Sequence, residues 1–375
     1  MRIFMIPYLY ERRLRAGMGG FQKVFELASQ FQRKHRVTLF LPAYSRRSTD
    51  VDCAWIPTLD LPLLRLVSFN CLLIPWLLAR ALAGRPQVIY LRIFNSFTAP
   101  LLARLLGATF VIEFNGNPLQ YYEAKKVWRG QWVRRLIAWN LQRADRIVAL
   151  TQGLQSEINS DFGVDTSKVY VAPSGSNPLV FFPRRRSECR QELSVTQDAI
   201  VAVFTGTFFA YQGIDVLLEA LTDPRLKNLQ TWLLGEGIMR AEWEAQAASL
   251  GLKQVWFTGQ VNYARVPLFM GAADFCLAPF APNRGEVSPL KVMDYLFCGR
   301  PIVIAKIPAV ENLLEEFSSI LSFTPGDPRS LADTMSTMIQ GRSDFARQAQ
   351  ADCELARRHY SWEKIAHRVE ENCFR

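Results

Sequence analysis

The 375-residue chain is 49% hydrophobic and 21% charged, which excludes a disordered protein and, at roughly 100 to 200 residues per domain, a single small module. Its 44 Lys and Arg against 34 Asp and Glu leave a net +10. The excess is uneven: residues 1–185 hold 25 basic and 11 acidic side chains, the remaining 190 hold 19 and 23, so the first half faces an anionic partner or presents a solvated basic face.

Apolar β-rich runs alternate with helix-period segments, which predicts an α/β fold of parallel sheet wrapped by helices. The first strand, 2–8, leads into the glycines Gly17 to Gly20 and a helix from Phe21 to Arg33, with Val24, Phe25, Ala28 and Phe31 on one face. Further strands are predicted at 36–41, 88–92, 109–114, 146–150 and 168–173. Asp50-Val51-Asp52 falls after the second strand and reads as a solvated loop. Leu59 to Ala83 reads as helices packed on the sheet or as a surface element dipping into a bilayer. Lys125, Lys126, Arg129, Arg134 and Arg135, interleaved with Tyr121, Tyr122, Trp128, Trp132 and Trp139, strengthen the second view through anionic lipid. No nucleic-acid recognition motif accompanies them.

The stretch 173–186, PSGSNPLVFFPRRR, breaks the alternation as a linker. The pattern then restarts with strands at 200–205, 231–235, 255–259, 275–280, 301–305 and 319–323, and the last 45 residues are helical with a break near Tyr360-Ser361. Two Rossmann-like halves are expected, 1–183 and 184–355, with 356–375 returning to the first. Ligands should bind between them, at the carboxyl ends of the strands. Seven scattered cysteines without a CxxC pair, and no secretory leader at Met1-Arg2-Ile3-Phe4, suggest reduced thiols in the cytoplasm. Between Arg65 and Arg80 lie 14 uncharged residues, short of the ~20 that span a bilayer, so no spanning segment is expected.

The glycines before the first helix suit either a backbone approach to phosphate or a tight strand-to-helix turn. They lack the full dinucleotide fingerprint, and no acidic residue ends the second strand, which argues against a dehydrogenase. The richest segment is NRGEVSPLKVMDYLFCGRPIVIA, 283–305. Glu286 and Asp294 are separated by seven residues, and Pro289 sits at or near the first helical position. Lys291 in the first turn opposes the helix dipole unless an anion compensates it. A diphosphate would do so, with Ser288 and free N–H groups as donors; a solvated helix start is the other reading. Glu113, at a strand end beside Asn115, either faces the cleft or packs. The three histidines lack metal-ligand spacing.

This segment resembles the donor-binding motif of retaining GT-B glycosyltransferases of glycosyltransferase family 4, in which two acidic residues flank a Ser-Pro-Leu-Lys type loop. FTGTFFAYQGIDVLLEA (204–220), LLGEG (233–237), FTGQV (257–261) and ADFCLAP (273–279) follow family order and spacing. In the first half GMGGFQKVFELASQF, EFNGN (113–117), ADRIVALTQGL (144–154) and VAPSGSNPLVFFP (171–183) also fit.

The resemblance implies two facing Rossmann-like domains, with C-terminal helices crossing back to the first. It makes Glu286 and Lys291 the catalytic pair, on the donor sugar and the diphosphate respectively, and Asp294 the ribose ligand. Ser288, Pro289, Leu290, Gly235, Gly237, Thr207, Gln212, Gly19 and Gly20 would line the donor site, with Asn115, Gly116 and Glu113 on the acceptor or sugar side. Thr207 and Gln212 stand where the family often has an arginine and a lysine, and Asp294 replaces the usual Glu. The implied reaction moves a sugar, with retention, from a nucleoside diphosphate sugar to a saccharide or lipid-linked acceptor in bacterial envelope synthesis. No metal or cofactor is implied, no nucleic acid is a partner, and the protein would be cytoplasmic, peripheral on the membrane's inner face. Two alternatives are an inactive GT-B scaffold and a nucleotide-sugar epimerase of the same fold.

Overall fold

The first strand, β1 (Arg2–Pro7), is buried on both faces, so its side chains split by parity. Ile3 and Met5 join one apolar cluster, Phe4 and Ile6 another on the opposite side. The computed structural model of the chain describes residues 1–8, 19–46, 49–61, 64–117, 119, 130–282, 285 and 290–375. In the first half β1 is followed by β2 (Arg36–Pro42), β3 (Asp52–Ile56), β4 (Val88–Arg92), β5 (Thr109–Phe114), β6 (Arg146–Ala149) and β7 (Val169–Val171). These form one parallel sheet in the order β3-β2-β1-β4-β5-β6-β7.

One face of that sheet carries the helices Leu64–Leu82, Ala99–Leu106, Gly130–Arg143 and Gln152–Phe162; the other carries Gly19–Gln32 and the final helix Trp362–Cys373. The second half contributes β8 (Ile200–Thr205), β9 (Leu229–Leu234), β10 (Val255–Gly259), β11 (Phe275–Ala278), β12 (Ile302–Ala305) and β13 (Ile320–Phe323), again parallel, in the order β10-β9-β8-β11-β12-β13. Both sheets place β1 or β8 at the point where strand order reverses, and that point opens the cleft at the carboxyl ends.

The chain passes between the halves twice, and the two passages touch. Ser176, just past β7, forms a parallel bridge with Ser361: its N–H donates to the Tyr360 carbonyl at 2.9 Å, and its carbonyl accepts from Trp362 N–H at 3.1 Å. A Cβ on Gly175 would sit 2.8 Å from the Tyr360 oxygen, so glycine is needed where the passages meet. The last helix then packs Trp362, Ile365, Ala366 and Val369 with Phe25, Ala28 and Phe31 of the Gly19–Gln32 helix.

Two expectations need correction. Asp52 is not loop: it opens the edge strand β3, paired with Thr38, whose hydroxyl donates to the Asp52 carboxylate at 2.9 Å. Leu64–Leu82 is a single helix that runs past both arginines with Pro75 inside it. It is the one described helix long and apolar enough to cross a membrane, although Phe69, Leu73 and Leu77 along one side are buried in the sheet core.

Candidate functional site

The cleft wall of the second half is built by the loops after β8 and β9 and by the helix Leu290–Phe297. Tyr295, fully buried, fixes this helix to the sheet: its hydroxyl accepts from Thr205 N–H at 2.9 Å and donates to the Leu277 carbonyl at 3.2 Å, at the ends of β8 and β11. Lys291 lies one turn earlier. Its Nζ donates to Gln212 Oε1 at 2.7 Å and sits 3.7 Å from the Phe204 ring centroid. A Cβ on Gly206 would come within 2.8 Å of that nitrogen, so glycine leaves room for the lysine head. The ammonium is thus held by a neutral amide and an aromatic face.

The two glycine-rich loops approach each other more closely than side chains allow. Gly235, at φ +151°, would direct a Cβ to within 1.8 Å of the Gly206 carbonyl, and Gly237 to within 2.3 Å of the Phe208 carbonyl. Phe208 N–H donates to the Glu236 carbonyl at 2.8 Å across the same gap. Loop-to-loop packing therefore demands glycine at both positions, a reason the family resemblance does not supply. Thr207 lies half-buried in this stitched region, and Gln212 is buried. Glu286, Ser288 and Pro289 lie outside the described residues; Leu290, half-buried, packs on the apolar cluster of the first half.

Asp294 stands on the same helix as Lys291, three residues on, and its Oδ1 accepts from Ser176 Oγ at 2.7 Å. Burial pushes its carboxyl up to about 8; Glu26 adds to the rise and the Ser176 hydrogen bond opposes it. Glu26, buried on the Gly19–Gln32 helix, receives both Asn177 Nδ2 contacts at 2.9 and 3.0 Å. Burial, then the Asp294 and Glu26 carboxylates, raise the Tyr263 phenol as well. Ser176, Glu26, Asn177 and Tyr263 were not picked out as site residues from the sequence, although the Pro-Ser-Gly-Ser-Asn run that holds Ser176 and Asn177 was.

On the other wall, the carboxyl ends of β4 and β5 carry a polar network. Glu113 is buried, pairs with Lys23 Nζ at 3.1 Å and accepts from Tyr90 Oη at 2.7 Å. Burial alone would raise the Glu113 carboxyl, but Lys23 and Arg92 outweigh it and hold it below the usual range. Arg92 pairs with Glu113 in register and reaches Asn115, whose amide oxygen accepts from its Nε at 2.7 Å when turned toward it. Asn115 and Gly116 are half-buried at the strand end, and Gly19 and Gly20 open the adjacent helix. Sequence reasoning missed Lys23 and Arg92; Lys23 follows the glycine run closely enough to have been a signal.

Among the described residues, no group of three or more His, Cys, Asp or Glu could hold a metal ion. Two concavities of about 720 and 640 Å³, lined by Arg2, Gln32, His35 and Arg36 among others, lie at the amino ends of β1 and β2, away from these groups.

Residues 19–178 match the model of glycosyltransferase family 4, and residues 199–341 that of glycosyl transferases group 1. The D-inositol 3-phosphate glycosyltransferase of a Nocardioides species is 29% identical over 241 residues, 60% of this chain and 52% of that protein. The alpha-D-kanosaminyltransferase of Streptomyces kanamyceticus is 20% identical over 278 residues, 71% and 70% of the two chains. The chain thus spans about half the length of the first of these relatives. Among solved structures, sucrose-phosphate synthase from Thermosynechococcus elongatus superposes with a TM-score of 0.82 at 16% identity, over 99% of this chain and 97% of that one. HepE from Anabaena, in complex with UDP-glucose, gives 0.78 at 18% identity over 99% and 98%. These likenesses identify the two-sheet architecture as GT-B.

Proposed function

The chain belongs to the group 1, family 4 glycosyltransferases, and on that premise we propose that it moves a sugar from a nucleoside diphosphate to an acceptor bound by the first half. The observation that carries this reading is the Leu290–Phe297 helix, which holds Lys291 and Asp294 at the carboxyl ends of β8 and β11. In the transition state the departing diphosphate gains negative charge, so a cation fixed beside it is the main catalytic requirement. Lys291 meets it: its ammonium is fixed beside Gln212 and the Phe204 ring in the first turn of that helix, on the cleft wall. Asp294 takes the ribose hydroxyls, and Glu286 the sugar. Leu290, Ser288, Pro289, Thr207, Gly235 and Gly237 shape the donor side, with Gly19 and Gly20 opposite.

Asn115 and Gly116 face the acceptor, and Glu113 acts indirectly, by holding Lys23 and Arg92. Retention follows from departure and attack on one face of the sugar. The basic first half suits a lipid-linked saccharide acceptor at the cytoplasmic face of a bacterial membrane. HepE, solved with UDP-glucose, makes uridine diphosphate sugars the first donors to try. A panel of labelled nucleotide sugars with bacterial lipid extracts tests the reading. The substitutions Thr207 and Gln212 favour a second one, an inactive scaffold; calorimetric titration with nucleoside diphosphates separates them, since failure of all to bind would leave only the scaffold.

A further inference from the structure

The helix Leu64–Leu82 has two apolar sides. Phe69, Leu73, Leu77 and Ala81 recur every four residues and are buried on the sheet. Leu64, Val67, Cys71, Ile74 and Leu82 lie along the opposite side. Of these Leu64, Val67 and Ile74 are exposed and Leu82 is 90% exposed. The neighbouring helix Ala99–Leu106 adds Leu101 and Leu105, the latter 69% exposed. Exposed apolar side chains gathered on two neighbouring helices of a folded domain mark a contact. Because the inner side is committed to the core, the helix cannot be surrounded by lipid; it can only lie along an interface.

Charge identifies the occupant. Residues 61–112 contain five arginines and no Asp or Glu, and the helix Gly130–Arg143 on the same sheet face carries Arg134, Arg135 and Arg143, again with no carboxylate. Arg65 and Arg80, at the ends of the first helix, are paired with Asp60 and Asp52. Arg104 and Arg135 are exposed, the second 5.4 Å from the ring centroid of exposed Trp132. Arg134 is likewise paired, with Asp161, whereas Arg104 and Arg135 have no ion pair among the described residues, so a second copy of the chain docking here would bring these cations against their own counterparts. Anionic headgroups remove that repulsion.

We propose that the outer side of Leu64–Leu82, with Leu101 and Leu105, lies in the surface of a bilayer bearing anionic lipid, and that the arginines of the adjoining helices meet the headgroups. This deepens the membrane-facing part of the function proposed above and is measured without any transfer assay. The full chain is floated with vesicles of phosphatidylcholine alone or mixed with phosphatidylglycerol. Binding is expected on the mixed vesicles and several-fold less on phosphatidylcholine. The double variant Val67→Glu, Ile74→Glu should abolish it, and Arg104→Gln or Arg135→Gln should each lower partitioning about fivefold. An unchanged thermal melt reports an intact fold, and the arginine variants test the idea should the glutamates perturb it.

Equal binding to both vesicle types, or full binding by the double variant, overturns the proposal. So does a wild-type dimer in sedimentation equilibrium that the double variant makes monomeric, with no vesicle binding by either. Nucleoside diphosphate titration in parallel keeps the two readings apart, since a protein that floats but binds no nucleotide refutes the transferase alone.

Discussion

Ser176 Oγ donates to Asp294 Oδ1 at 2.7 Å across 118 positions of sequence, joining the loop that leaves the first sheet to the helix that carries Lys291. The Ser176 backbone is at the same time bonded to Tyr360 and Trp362. A group assigned to the donor is therefore suspended from the point where the halves meet, and its protonation bears on stability as well as binding.

An acid whose folded pKa lies above its unfolded value binds more protons when folded, so it favours folding at low pH. That contribution is lost as pH rises from about 4 toward 8. Asp294→Asn keeps an acceptor for Ser176 and removes the titration. Thermal melts should fall less steeply between pH 5 and 8 in the variant than in wild type, while nucleoside affinity drops. Parallel melting curves would mean that Asp294 titrates normally.

Lys291→Ala removes the one cation assigned to the diphosphate, and affinity for a nucleoside diphosphate should fall about 10- to 100-fold, along with turnover. Gln212→Glu should reduce both through a different route, by placing a carboxylate against the ammonium, where it competes with the diphosphate. Unchanged affinity and rate in a folded Lys291→Ala protein would move the donor site elsewhere.

Glu286→Gln keeps side-chain shape but weakens a charge-assisted acceptor for sugar hydroxyls, about 1.5–3 kcal/mol. Turnover should drop while the free nucleoside diphosphate still binds by titration. Loss of nucleotide binding instead would put this residue on the wrong part of the donor.

Glu113→Ala strands Lys23 as a buried charge, and breaking such a pair costs about 3–5 kcal/mol. The melting temperature should fall by several degrees. Glu113→Gln, which retains an acceptor for Tyr90, should lose less.

With phosphate charge met by Lys291 and the helix start, transfer should proceed unaltered in EDTA. Inactivation by EDTA that Mn²⁺ reverses would require a metal in the donor site.

Most strands were legible because a strand covered on both faces reads as a continuous apolar run, as IVAVFT and PIVIA do. β3 was not: it is short, lies at the sheet edge and begins with an aspartate, so Asp-Cys-Ala-Trp-Ile resembles loop until Thr38 is seen beside it. Leu59 to Ala83 similarly read as helices in the plural, whereas Leu64–Leu82 is one continuous helix with Pro75 exposed inside it. Lys291 and Asp294 could be read together because they are three positions apart on one helix. Ser176, Glu26 and Arg92 meet these partners only through the fold, and for Lys23 the one local signal is the glycine run just before it. The glycines at 235 and 237 were noticed for a ligand, while the backbone facing them is itself reason for glycine.

The touching passages at Ser176 and Ser361 determine how the halves can move. A single thread would let two domains swivel about any axis, but two threads hydrogen-bonded to each other behave as a strap with a preferred bending direction. Fewer relative orientations are available before the donor arrives, and correspondingly little orientational freedom is lost when the halves close on it.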